Sequence, residues 1–293
     1  MTAADRAVQA AEAVARRAAE GARGLDHHGA FPAVEVAALR AAGLLRAPLP
    51  LAEGGAGLCE PGAVDGLRAV LTAIGRGSLP LGRLYEGHVN ALALVLRYGG
   101  EACADLLAEA RDGHLFAVWN TEPGPGGLAL DGERLTGAKS LASGAGFVTR
   151  ALVTAKRPEG ERGMIVVALE PGRGADLSSW RAQGMRASAT GTLDFTGLPA
   201  SAATPVGTPG DYERQPFFSA GAWRFLAVQL GGIEAVVEAH RGHLRATNRG
   251  DDPHQRARLG QAAQAAETAR LFVTEAARIA AAEAGSPDAV VAY

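Results

Sequence analysis

The segment richest in groups that could do chemistry is Asn120-Thr121-Glu122-Pro123-Gly124, an amide, a hydroxyl and a carboxylate set in a turn after a β-type run. Such groups at a strand end can donate to a bound ligand, or satisfy a neighbouring backbone group. The next long β-type run carries Lys139, Leu141 and Ser143; Lys139 and Lys156 are the two lysines of a chain whose other basic residues are arginines. Gly124-Pro125-Gly126-Gly127-Leu128-Ala129 formally matches the dinucleotide fingerprint G-x-G-x-x-A. That fingerprint needs a helix whose first turn receives the pyrophosphate, whereas Pro123, Pro125 and Asp131-Gly132 impose turns and a hairpin, which argues against a nicotinamide fold.

Other constellations have simpler readings. His240 and His243, with Glu234 and Glu238, could lie a helical turn apart and bind a divalent metal, but surface histidines on an amphipathic helix explain them without a second ligand pair. His27-His28 reads as a loop feature, and Glu53-Gly54-Gly55-Ala56-Gly57 as a connector rather than an anion cradle. Tyr85, His88 and Asn90 could line a pocket or simply pack a helix. Asp211, Glu213 and Glu234 read as solvated charges. The G-x-S-x-G elbow of hydrolases is missing.

The elements that must position these groups fall into three stretches. Residues 1–113 read as helices: Ala3 to Ala22 with a weak apolar stripe, Pro32 to Gly43, one carrying Val64, Leu67, Leu71 and Ile74, one carrying Leu92, Leu94, Val95 and Tyr98, and a short closing helix from Glu101 to Asp112. Pro48 to Pro61 is a loop. Residues 114–205 break into short β-type runs at Leu115–Asn120, Leu128–Leu130, Arg134–Ser143, Ala151–Lys156, Met164–Leu169 and Gly191–Phe195, which suggests an antiparallel sheet or barrel. Residues 206–293 read as two long helices, Pro216 to Asn248 and Pro253 to Ala284. The fold class is therefore α+β.

Bulk properties exclude broad classes. Twenty-nine basic against 31 acidic residues, a net charge of −2, give no general attraction for nucleic acid or an anionic membrane. The N-terminus is interrupted by charge and lacks the apolar core of a signal peptide, and no run reaches the ~18 uncharged apolar residues of a spanning helix. Cys59 and Cys103 are the two cysteines, so neither a disulfide framework nor a cysteine metal cluster is expected, and the expected location is cytoplasmic.

Several segments acquire a common meaning in order. Phe31-Pro32, Gly43-Leu44, Pro50-Leu51-Ala52-Glu53-Gly54-Gly55-Ala56-Gly57, Thr121-Glu122-Pro123-Gly124, Thr136-Gly137-Ala138-Lys139 with Ser143, and Gly184-Met185-Arg186-Ala187-Ser188 before Thr192 to Phe195 follow one another in a spacing that resembles the acyl-CoA dehydrogenase family over nearly the whole chain. The resemblance implies an N-terminal helical domain, a middle antiparallel β domain and a C-terminal helical bundle that builds a homo-oligomer, or a heteromer. It implies FAD between the β domain and the C-terminal helices, with Thr121 donating beside the flavin ring and Asn120, Leu141 and Ser143 at the same site. Leu141 stands where an aromatic residue is usual, which removes a stacking surface. The implied activity is α,β-dehydrogenation of an acyl thioester, acyl-CoA, with a base at Cα and hydride transfer from Cβ to flavin N5.

Departures from the pattern qualify that activity. Gly127-Leu128 stands where relatives carry a Ser-Asp pair that meets the cofactor or substrate head group. The base, a Glu before an Arg in some relatives, falls on Trp223-Arg224, so the catalytic residue is unassigned. Arg245 or Arg249 would hold a neighbouring subunit's FAD, although Asp251-Asp252 adjoin the second. Two C-terminal helices stand where the family bundle has about four, which implies a shortened chain or a partner that supplies the rest. Two alternatives stay open: a non-catalytic or partner-dependent subunit of the same fold, and a flavin-dependent monooxygenase.

Overall fold

The computed structural model describes residues 1–158 and 160–282. The expected helix end at Ala284 and the chain end at Tyr293 lie outside the described residues.

Helix α1 (Ala3–His28) starts at a capping box, Thr2 Oγ1 accepting from Asp5 N at 3.0 Å while the Asp5 carboxylate accepts from Thr2 N at 2.7 Å. It ends at Gly29, left-handed at φ 65°, so the expected stop at Ala22 is too early and His27 and His28 sit in the last helical turn, not in a loop. Gly24 is tolerated within the helix; Gly29 supplies the conformation that ends it. The buried stripe Ala7, Ala11, Val14, Ala15 and Ala18 looks weak in sequence because its residues are small. Small residues are what the packing needs: a Cβ on Gly77 of α3 (Val64–Gly77) would overlap the Ala15 backbone.

Helix α2 (Ala33–Ala41) follows Pro32, and α4 (Leu79–Tyr98) is capped by Ser78 Oγ, which accepts from Leu81 N. His88 on α4 is fully buried and joins three parts of the fold. Its Nε2 lies 2.6 Å from Leu45 O, and Phe116 N donates to its Nδ1 at 3.1 Å, a pairing that requires the neutral ring with its proton on Nε2. Burial pulls its pKa down to about 4, partly opposed by the Leu45 bond. Tyr85 Oη donates to Leu44 O, and α5 (Ala104–Arg111) closes the N-terminal helices.

The middle segment forms two sheets. The larger pairs β1 (Phe116–Trp119), β2 (Ala129–Leu130), β3 (Leu135–Thr136), β5 (Arg150–Lys156), β6 (Arg162–Ala168) and β9 (Ala203–Val206). The smaller has the order β4 (Ala138–Ala142), β8 (Gly191–Asp194), β7 (Ala175–Asp176). The expected single run from Arg134 to Ser143 is split at Gly137, φ 111°, and its halves belong to different sheets. The expectation of an antiparallel sheet is also corrected. β5 is antiparallel to β6, but β1 and β2 both run parallel to β5, so the larger sheet is mixed. A parallel pair needs a crossover, and the segment from Asn120 to Thr149 provides the length for one.

Helices α6 (Phe217–Ala220) and α7 (Ala222–Ala246) break at Gly221 what the sequence suggests is one helix, and α8 (Pro253–Ala281) follows an Asp252 cap. α7 lies backbone to backbone on α3: a Cβ at Gly75 would overlap Val228 O, and one at Gly231 would overlap Thr72 O. This seating brings Trp223 and Arg224 against α4. No described helix is long and apolar enough to cross a membrane.

Candidate functional site

The turn after β1 is anchored by charge. Lys139 Nζ, on fully buried Lys139, donates to Glu122 Oε1 at 2.9 Å and to Thr154 Oγ1 at 3.5 Å, while Arg162 pairs with the same carboxylate from the other side. Burial raises the Glu122 pKa, but the hydrogen bonds and charges of Arg162 and Lys139 outweigh it and hold the carboxyl at about 2. Burial lowers Lys139, with Glu122 opposing. Glu122 also accepts from Leu128 N, so this carboxylate ties the turn to β4, to β6 and to the segment before β2. It is a structural anchor, not a free base.

Thr121 and Ser143 lie on neighbouring segments. Thr121 O accepts from Ser140 N at 2.8 Å, and Thr121 itself is exposed. Ser143 O accepts from Trp119 Nε1 at 2.9 Å. Thr190 Oγ1 donates to Ser143 Oγ at 3.0 Å and lies 2.7 Å from Ser188 Oγ. Ser143 is buried, and an oxygen that accepts from Thr190 keeps its own O–H for a further acceptor. Between them the β4–β8 register shifts, and Leu141 stands at φ 52° with 60% of its surface exposed. A branched, apolar side chain held outward in left-handed backbone is a local cost that marks functional surfaces. The two hydroxyls and the apolar ledge suit a flat heterocycle with hydrogen-bond acceptors, so these residues fit a flavin ring.

Asn120 links this surface to a cavity. Its Oδ1 accepts from Thr154, and it is near enough to Tyr212 to act on it: burial raises the Tyr212 pKa, aided by Glu213, against Asn120 and Arg83. Tyr212 and Val118 of β1 line a cavity of about 560 Å³ with Glu86 and Asn90 of α4 and Trp223 and Arg224 of α7. That volume is within the range of small-molecule sites. Among the described residues, Glu86 is the carboxylate that lines it, and its oxygens are engaged by Arg83 Nη1 and Asn90 Nδ2. Arg224 Nη1 donates to Asn90 Oδ1 at 3.0 Å.

The remaining sequence candidates lie elsewhere. Arg245 and Arg249 are exposed at and beyond the C-terminal end of α7, where they reach Glu238 and Asp252 at 4.0 and 3.9 Å; no hydrogen bond or ion pair joins them to the turn. Asp211 is buried rather than solvated, because it accepts from Thr208 N and Oγ1 and pairs with Arg214 at 2.6 Å. Glu213 is exposed and Glu234 pairs with Arg76. Glu86 was missed by sequence reasoning, and its one signal was the neighbouring His88 and Asn90.

No protein-family model matches the chain, and no curated protein matches it in sequence. Solved structures match its shape. TdsC from Paenibacillus sp., in complex with FMN and indole, is 22% identical with a TM-score of 0.80, over 97% of this chain and 79% of that one. Nitrososynthase from Micromonospora carbonacea var. africana is 22% identical with a TM-score of 0.78, over 99% and 80%. Methanesulfinate monooxygenase MsuC from Pseudomonas fluorescens is 23% identical with a TM-score of 0.74, over 94% and 75%. These neighbours share one architecture, and the TdsC structure holds FMN. With its helical N-terminal part, mixed middle sheet and C-terminal helices, the chain has the acyl-CoA dehydrogenase-like fold.

Proposed function

We propose that the chain is a flavin-dependent oxidoreductase of the oxygen-using kind, with FMN against Thr121, Leu141 and Ser143 and a small substrate in the cavity between α4 and α7. One observation carries the choice over acyl thioester dehydrogenation: Trp223 lines the cavity where a carboxylate base is expected, and Glu86 already serves Arg83 and Asn90. Removing a Cα proton needs a free base within reach, whereas oxygen insertion by a reduced flavin does not. When bound, the reduced flavin supplies the electrons that activate dioxygen.

The chain's own residues orient and shield. Thr121 and Ser143 would donate hydrogen bonds to the ring, Leu141 would offer it an apolar surface, and Asn120 stands between them and Tyr212 of the cavity wall. The monooxygenase and FMN named for the neighbours support this reading. FMN is favoured over FAD because Gly127-Leu128 and Asp251-Asp252 offer little to a second phosphate. Exposed Ile233, Val236 and Leu271 on α7 and α8 support association between copies through these helices.

Titration of the purified protein with FMN and with FAD, followed by flavin fluorescence, tests the cofactor. Tighter binding of FMN is expected. Binding of neither would overturn the flavin reading and favour a non-catalytic subunit; preference for FAD with loss on changing Arg245 or Arg249 would restore the dehydrogenase-type site.

A further inference from the structure

We infer, on the reading that the α4–α7 cavity is the substrate site of a flavin enzyme, that its substrate carries an anionic group, anchored by Arg224, on an apolar body. Two guanidinium groups, Arg97 and Arg224, and one carboxylate, Glu86, line the cavity, and Arg83 pairs with that carboxylate. Neither Arg97 nor Arg224 has an acid within ion-pair distance among the described residues. Arg97 lies 3.6 Å over the Phe217 ring centroid, and Arg224 spends one donor on the neutral Asn90 oxygen. Among the described residues the cavity lining thus carries more positive than negative charge, in a chain whose overall charge is −2.

The Arg224 head group also has an unmet donor. Its Nε is buried and without a hydrogen-bond partner, although Nη1 is satisfied. A buried, charged N–H without a partner adds to the desolvation cost of the guanidinium. Burial lowers the Arg224 pKa below the ordinary arginine value, as does Arg97, while Glu86 opposes it. An anion in the cavity beside the guanidinium offsets part of that cost through its charge and accepts from the guanidinium donors that reach the cavity. Leu94, Val118, Phe218, Trp223 and Phe225 form the apolar part of the wall, beside the polar Tyr212 and Ser219, which suits an aromatic or aliphatic frame. The chemical class is therefore a small carboxylate, sulfinate or similar monoanion with an apolar body.

The test uses the full-length protein and two nearly isosteric probes, benzoate and neutral benzamide, read by quenching of tryptophan fluorescence and by calorimetry. Benzoate is expected to bind at least about tenfold more tightly than benzamide, the size of one charge-assisted hydrogen bond. Arg224→Gln should abolish that preference while leaving benzamide within about twofold. Glu86→Gln, which removes the lining's negative charge, should tighten benzoate by about three- to tenfold, and this opposite sign cannot arise from a damaged fold. Equal binding of the two probes, no binding of benzoate, or an unchanged preference in Arg224→Gln would overturn the inference. Flavin titrations on the same samples separate the two claims: a benzoate preference without flavin binding supports the anion site and sinks only the flavin reading, whereas flavin binding without the preference sinks only the anion site.

Discussion

Lys139 and Glu122 form an ion pair of 2.9 Å in which the lysine is wholly buried and the carboxylate is shared with Arg162. The pair joins the turn after β1 to β4, and so fixes Thr121 relative to Ser143. Removing one partner has a different cost from removing the other. Glu122→Ala leaves a buried cation unmatched and is expected to cost about 3–5 kcal/mol, whereas Lys139→Met leaves Glu122 with Arg162 and is expected to cost under about 1.5 kcal/mol. Urea unfolding of both variants checks the asymmetry; equal losses would contradict it.

The same carboxyl makes stability sensitive to acid. A folded pKa held at about 2, against an ordinary 4.5, contributes stability that is fully present above about 4.5 and is lost as pH falls through about 2. Glu122→Gln should flatten the unfolding free energy across that window.

His88 acts at higher pH. Its folded pKa of about 4 lies below the ordinary 6.5, so its contribution is fully present above 6.5 and is lost as pH falls from 6.5 through 4. The shift corresponds to about 3 kcal/mol. His88→Gln, which can keep a donor and an acceptor in the same space, should remove the slope from pH 6.5 to 4 in calorimetric melts while leaving the slope below it.

The close seating of α7 on α3 predicts a larger structural effect than its residues suggest. Gly231→Ala drives a Cβ into the Thr72 carbonyl and should cost at least about 2 kcal/mol. If the helices part, Trp223 and Arg224 move from α4, so the variant should also lose benzoate affinity at temperatures where it remains folded.

Leu141 and Ser143 set the expected flavin affinity. Leu141→Trp adds a stacking surface on an exposed position and should tighten FMN by about three- to tenfold, and Ser143→Ala should weaken it by a similar factor. Flavin fluorescence titrations read both; no change in either would place the ring elsewhere.

Local punctuation made much of this architecture legible. The turn signals from Pro123 to Gly132 marked the strand ends, and Gly124 to Ala129 leads into β2 and not a helix. What local signals could not convey was partner and direction. Nothing in Phe116–Trp119 specifies that it runs parallel to Arg150–Lys156, and Gly137 gave no sign of dividing its run between two sheets. The cavity was hidden for a similar reason. Glu86 and Arg224 are distant in sequence and meet only because Gly75 and Gly231 let α3 and α7 approach; the signal was two glycines in helical stretches, which reads as weakness until the packing is known. Asp211 was misjudged because its partners, Thr208 and Arg214, satisfy it through a loop geometry that exposure rules ignore.

Dehydrogenation and oxygenation are separated most directly by anaerobic mixing of the FMN-loaded protein with a panel of acyl-CoA thioesters while the visible band of the oxidised flavin is followed, then chemical reduction and admission of oxygen in the presence of a small aromatic acid. No thioester is expected to bleach the flavin, and the reduced protein is expected to take up oxygen coupled to formation of an oxygenated acid. Bleaching by an acyl-CoA before any other donor is added would contradict the oxygen-using reading.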